Sequence, residues 1–442
     1  MKTKTSILIF IFSVIFLHGA FAGEKGYYRF PSLHGNLVIF TAEGDLWQYD
    51  QTTKICRRIT TNQGVESNAT LSPDGKLIAF NAEYEGPDEV YLIPTEGGIP
   101  RRITWEGLQG GAAPRICGWT TDGKLIVSTS YYSGLPEKQL ALIDTATTQY
   151  NLVPLAQADE GVFDDSGNLY FTRLSFQGSH TKRYKGGTAQ NLWKFDGKNE
   201  AVPLTANYAG TSKNPMFYQG RLYFLTDRDG TMNLWSMAPD GTGLQQLTRS
   251  SGWDLKDAQL QEGNVIYQKK ADLCVYNIAS GNEKLLDISL VSDFDQRRLV
   301  WEKDPDKKIQ SYSLSKDGSH VALVSAGRVF CAPADGSRWV EVTRKYGVRY
   351  KQAEFSGDDD KVVFLSDESG EMELWETSGD GLSPATQLTS GSTVLIMNQQ
   401  PSPNGKYIAY TEKDYALKLY NRETKTSLKA DQDSIDGFSG MT

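Results

Sequence analysis

Cysteine and histidine are scarce, at four residues each in 442. Cys56, Cys117, Cys274 and Cys331 are widely scattered, with no Cys-x-x-Cys pair among them. That spacing excludes a zinc ribbon or a redox dithiol, and so few histidines leave no tetrahedral ligand set. The cysteines are expected as unpaired thiols inside strands. A basic excess is also missing: net charge is −8, which argues against nucleic acid as a partner. Long apolar runs are absent beyond Ile7 to Leu17, and no segment repeats apolar residues at helical spacing over any length. No Walker-type loop, dinucleotide-binding loop or Gly-x-Ser-x-Gly elbow occurs, and no cofactor is expected.

The one apolar run sits at the N-terminus, behind Lys2 and Lys4 and ahead of Ala20-Phe21-Ala22. A basic start, a short apolar core and a small-x-small site predict an export signal over 1–22, cleaved after Ala22. The mature chain is then expected in the periplasm or outside the cell, with no membrane segment of its own.

What the chain has in quantity is glycine and aromatics: 42 Gly, 22 Tyr, 18 Phe and 9 Trp. They fall into a repeat. A turn phrase with Asp/Asn-Gly at its tip precedes an apolar strand, as in Ser72-Pro73-Asp74-Gly75 before Lys76 to Phe80 and Ser402-Pro403-Asn404-Gly405 before Lys406 to Tyr410. The Asp/Asn-Gly tip supplies the positive φ angles of a tight hairpin. A second phrase alternates polar, apolar and aromatic residues, as in Asp45-Leu46-Trp47, Asn191-Leu192-Trp193, Asn233-Leu234-Trp235 and Glu373-Leu374-Trp375. Aromatics repeated at one strand position belong to packing between repeats. A third phrase ends in threonine: Ile59-Thr60, Ile103-Thr104, Leu247-Thr248, Val342-Thr343 and Leu388-Thr389. The unit spans about 40 to 55 residues and four strands, the size of one β-propeller blade.

About nine units fit the chain, too many for one ring. The charged stretch from Ser292 to Arg298 interrupts them. The reading is all-β: a six-bladed β-propeller over 24–290, then an incomplete second β-propeller of about three blades over 291–442. Three blades cannot close, and Asp436 to Thr442 reads as the lead-in of another unit. The expectation is an N-terminal portion of a larger protein.

These residues resemble the N-terminal half of the tricorn protease family, in the opening Phe30 to Phe40, the following Gly44-Asp45-Leu46-Trp47 and, above all, the insertion Lys182-Arg183-Tyr184-Lys185-Gly186-Gly187-Thr188. The resemblance implies a six-bladed and then a seven-bladed propeller that guide peptides. Catalytic serine-peptidase domains would lie beyond Thr442, so no catalytic residue is expected in this chain and it should be inactive alone. The family also holds a substrate carboxylate with paired arginines in the third blade. The matching stretch Gly110 to Arg115 offers Arg115 without the pair.

The chain's own residues add few candidates. His34 and His320 sit on turn phrases, where a solvated role is expected. His180 lies in the long insertion from Leu174 to Gly187, and such insertions gather on the binding face of repeat proteins. Candidate peptide-binding residues are therefore Arg115, His180, Lys182, Arg183 and Lys185, the basic ones facing a peptide carboxylate or an acidic neighbour. Asp358-Asp359-Asp360 reads as hairpin-turn chemistry, so no metal is expected. The partners expected are peptides or unfolded polypeptide, the catalytic domains expected beyond Thr442, and further copies of the chain. Two other readings stay open: a stand-alone periplasmic propeller scaffold like that of the Tol system, and the propeller of a dipeptidyl-peptidase or prolyl-oligopeptidase relative.

Overall fold

A computed structural model describes residues 25–134, 137–175, 182–294, 301, 303–357 and 361–434. The proposed export signal, His180, Asp358 to Asp360 and the C-terminal lead-in all lie outside the described residues. Nine four-stranded antiparallel sheets account for the described chain, each built from one contiguous stretch in simple up-and-down order. The fold is all-β and propeller-like. Chain contacts divide it into two units, Met1–Arg298 and Leu299–Thr442.

The first unit holds sheets over 29–58, 67–102, 115–152, 159–203, 212–246 and 255–285, here sheets 1 to 6. Each packs on the next, and the sixth packs back on the first, which makes a closed circuit. Its core is six seams, one per pair of neighbours. Ile39 and Leu46 of sheet 1 meet Leu71, Ile78 and Phe80 of sheet 2. On the opposite face of sheet 1, Val38, Phe40 and Trp47 meet Ile266 and Leu273 of sheet 6. Alternate side chains of one strand thus serve opposite seams. That is why the inner strands read as almost unbroken apolar runs, as in Leu37–Ala42, where five of six residues are buried.

The seam between sheets 1 and 6 closes without exchanging a strand. Instead the two ends of the unit cross it. Tyr28 donates its backbone N–H to the Ala271 carbonyl (2.9 Å) and its hydroxyl to the Ile288 carbonyl (2.9 Å). Leu286, Ile288 and Leu290 are buried against Tyr28, Phe40, Trp47 and Tyr49. Lys25 pairs with Asp287.

The second unit holds sheets over 309–341, 350–387 and 396–432, here sheets 7 to 9. It has two seams of the same kind. Val324, Val329 and Cys331 meet Tyr350, Val362 and Phe364 in one, and Val363 and Leu374 meet Ile408, Tyr410 and Tyr420 in the other.

The repeated phrases have concrete jobs. In the turn phrase, the Ser72 hydroxyl accepts the Leu77 N–H (2.9 Å) and donates to the Asp74 carboxylate (2.7 Å). Ser402 and Asn404 repeat the arrangement. Only the glycine takes a left-handed backbone there, at φ +70° for Gly75 and +67° for Gly405. The Asp or Asn caps the turn with its side chain and does not share the positive φ expected of it. The closing threonine is a clip. Thr60, Thr104, Thr205, Thr248, Thr343 and Thr389 each accept a backbone N–H of the third strand, at 2.8 to 2.9 Å. Four of these hydroxyls then donate onward to the residue that opens that strand: Glu89, Asn191, Asn233 or Glu373. A buried hydroxyl used as both acceptor and donor leaves no unmet polar group.

Candidate functional site

The innermost strand of each sheet in the first unit breaks its ladder register once. Breaks fall between Arg29 and Ser32, Ser67 and Thr70, Asp159 and Val162, Lys213 and Met216, and Lys256 and Gln259. A β-bulge turns one side chain away from the alternating pattern. In these five strands the bulged residue has a left-handed backbone: Phe30 (φ +49°), Asn68 (+50°), Glu160 (+47°), Asn214 (+58°) and Asp257 (+49°). That conformation is costly for residues other than glycine. Sheet 3 shifts register near Ile116 instead, and there Arg115 opens the strand.

These six residues, one from each sheet, line a single cavity of about 60 Å³. It therefore lies on the axis of the first unit. Cys117, Gly161, Asn214, Pro215, Ala258 and Gln259 also line a wider cavity of about 330 Å³, so the two adjoin. The wider chamber is lined by apolar side chains, Leu33, Leu71, Trp119, Phe163, Phe217 and Leu260, and by more polar surface from residues such as Thr70, Asp165 and Gln261.

The narrow part is held by a network. Arg115 Nη1 lies 3.8 Å from Glu160 Oε1 on the neighbouring sheet. Glu160 Oε2 accepts the Asn214 N–H (2.8 Å) and the Thr172 hydroxyl (3.3 Å). The Asn214 side chain accepts the Ala258 N–H and donates to the Ala258 carbonyl, both at 2.8 Å. Burial works against the charge of Arg115, yet Glu160, Asp159 and Asp257 outweigh it and hold the guanidinium above its ordinary pKa. Burial would also raise the Asp159 carboxyl, but Arg115 and Lys138 hold it below the usual range. Burial pushes the Cys117 thiol up to about 11, so it is no nucleophile at neutral pH. Among the described residues no group of three His, Cys, Asp or Glu is placed to hold a metal.

The structure separates the residues singled out from sequence. Arg115 is on the axis. Lys182 and Arg183 are not: both pair with Asp254, Lys182 at 3.4 Å and Arg183 at 2.7 Å, and Arg183 also donates to the Gly230 carbonyl. Their charge docks the insertion onto sheets 5 and 6. Lys185 is exposed. His34 is not solvated as expected: it is half-buried, and its ring lies where a Cβ on Gly75 would sit, 2.5 Å away. His320 is exposed on its turn, bonded to Ser319. All four cysteines are unpaired and lie in strands, with Cys274 and Cys331 buried. Sequence reasoning missed Phe30, Asn68, Glu160, Asn214 and Asp257. A signal was present, since each sits four residues ahead of the residue that opens its turn: His34, Ser72, Asp164, Tyr218 and Gln261.

Comparison with known proteins agrees with this architecture. The chain is 25% identical over 422 residues to a tricorn protease homolog of Saccharolobus solfataricus, covering 93% of this chain and 38% of that protein. It thus spans well under half of that relative's length. It is 29% identical to a putative tricorn-like protease N-terminal subunit of Sulfurisphaera tokodaii, over 37% of this chain and 84% of that subunit. The crystal structure of the tricorn protease superposes with a TM-score of 0.68 at 22% identity, covering 92% of this chain and 40% of that one. Residues 25–282 match the tricorn protease N-terminal beta propeller domain, and the chain belongs to that family.

Proposed function

We propose that this chain is the non-catalytic propeller portion of a tricorn-like serine peptidase, and that it binds or channels peptides for cleavage by polypeptide outside it. The observation that carries this reading is the axial cavity: a side chain from every sheet of the first unit converges on a narrow neck, and a wider chamber adjoins it, where Trp119, Phe163, Phe217 and Leu260 stand among polar side chains. Ligand sites in proteins are typically concave, largely apolar and fitted with a few placed polar groups. The family and the fraction of the relatives' length that is matched support the division of labour. With the export signal proposed over 1–22, the work would be done in the periplasm or outside the cell.

The test is photo-crosslinking of unstructured peptides carrying a photoreactive phenylalanine to the purified chain. Capture should saturate, and mass spectrometry should map the adducts to Trp119, Phe163, Phe217 or Leu260. The same peptides should remain uncleaved. Non-saturating capture, or adducts scattered over the outer surface, would overturn the reading.

A further inference from the structure

We propose that the second unit holds a binding site for a small carboxylate where sheet 9 meets the link 388–394 that enters it. The ligand is of about the size of a dipeptide or a sugar acid. This site belongs to the other unit from the axial cavity and does not rest on the peptide reading above.

It begins with a break in the repeat. One rung of each sheet pairs the second strand with the third. In sheets 1, 2, 4, 5 and 8 the third strand supplies Trp47, Tyr91, Trp193, Trp235 or Trp375 there, each opposite a phenylalanine. Sheets 3, 6 and 7 supply Ala141, Cys274 and Phe330. Only sheet 9 puts a charge on that rung: Lys418, opposite Tyr410. Without a ring at Lys418, a cavity of about 570 Å³ lies between sheet 9 and the link. That volume falls in the ordinary range of small-molecule sites.

The lysine is held ready. Glu412, its side chain 5% exposed, accepts a hydrogen bond from Lys418 Nζ at 2.8 Å. A part-buried ion pair is a poor substitute for a packed aromatic, because desolvation offsets the attraction. What it gains is donors. An ammonium has three, and Glu412 takes the one bond that Lys418 makes among the described residues. The other two are left to the cavity that Lys418 lines. The rim is also fixed. Glu373 accepts the Thr389 hydroxyl (2.6 Å), the Ser392 N–H (2.8 Å) and the Ser392 hydroxyl (3.0 Å), which pins the link.

The balance of charge chooses the ligand. The lining carries three ammonium groups, Lys418, Lys425 and Lys429, against two carboxylates, Glu412 and Asp414. The excess of one positive charge suits a singly charged anion, while the two carboxylates oppose a dianion such as phosphate. Asp414 and the hydroxyls of Ser390 and Thr393 suit the polar groups on the rest of such a ligand. The end of a peptide and a sugar acid offer the same carboxylate.

The test is calorimetric titration of the full chain with alanyl-alanine, alanyl-alanine amide, glucuronate, glucose and inorganic phosphate. At least one of the two carboxylates should bind about tenfold tighter than its uncharged-end counterpart, the size of one charge-assisted hydrogen bond, and tighter than phosphate. The one that binds identifies the source. Lys418→Trp, which restores the ring of the other sheets, should abolish that binding. Reductive methylation read by mass spectrometry gives a second readout on the unaltered chain. The bound carboxylate should protect Lys418 and leave Lys54, in the first unit, as reactive as before. Equal binding of the counterparts, tighter binding of phosphate, binding that survives Lys418→Trp, an unprotected Lys418 or no binding at all overturns the site. None of these outcomes bears on the peptide reading, whose crosslinks map to the first unit.

Discussion

The two units use one repeat and differ in whether it closes on itself. In the first, every sheet has a neighbour on both faces, and Leu33 of the opening strand is 6% exposed. In the second, the opening strand Ile309–Leu314 leaves Tyr312 73% and Leu314 60% exposed. Turn caps and threonine clips are the same in both. Local chemistry therefore makes a blade, while the burial that stabilises it comes from the blades beside it. Stability in stacked repeats is roughly a sum of repeat terms and interface terms. Six sheets in a circuit have six seams. Three in a row have two.

The largest test of this contrast is limited proteolysis. We expect cleavage first within Leu299–Thr442, leaving a resistant fragment that ends near Arg298. Equal resistance of the two units would break the comparison. Next come single cuts at the seams. Leu290→Ala opens a cavity under the crossing ends of the first unit, which should cost about 3 kcal/mol in denaturant unfolding. Leu314→Ala, on the uncovered face of the second unit, should cost less than about 0.5 kcal/mol. A third test asks what is independent of closure. Thr104→Val and Thr389→Val each strip the acceptor from a backbone N–H, of Val90 and Leu374, and the donor from a buried carboxylate, of Glu89 and Glu373. Each should cost about 2 kcal/mol, with little difference between the units.

The smallest effect concerns pH. Glu66 is fully buried near the seam of sheets 1 and 2, where Tyr84 and Thr60 donate to it, and burial raises its carboxyl to about 7. In the unfolded chain this group ionises near 4.5, so the folded form holds the extra proton between those values. Stability from this group therefore falls as pH rises through that window. Glu66→Gln should remove about 1 kcal/mol of the loss between about pH 6 and pH 8. Burial raises Glu354, in the second unit, to about 7 as well. Glu354→Gln should show the same slope only if the open unit stays packed around that residue.

Much of the blade was legible because its signals are local. A serine, an aspartate and a glycine in one turn act on each other within five residues, and a strand's alternation is written along itself. The closing threonine was visible as a phrase, and Leu204-Thr205 carries the same ending as Leu247-Thr248 and makes the same clip. The axial site was harder. A β-bulge has no composition of its own, and Phe30, Asn68, Glu160, Asn214 and Asp257 share a place without sharing chemistry. Partners distant in sequence were invisible altogether. Nothing near Arg183 announces Asp254, 71 residues on. Arg115 drew attention as a lone cation, and only the fold brings Glu160 against it.

The crossing of Tyr28 over Ile288 has a practical corollary. It sets the two loose ends of the first unit side by side, so the whole six-sheet body hangs from its polypeptide like a bead tied at one knot. A longer protein can gain, lose or relocate such a bead with one splice and no rerouting of its backbone. The two ends can likewise be fused and new ones opened at a hairpin tip, giving a rearranged ring with the same seams.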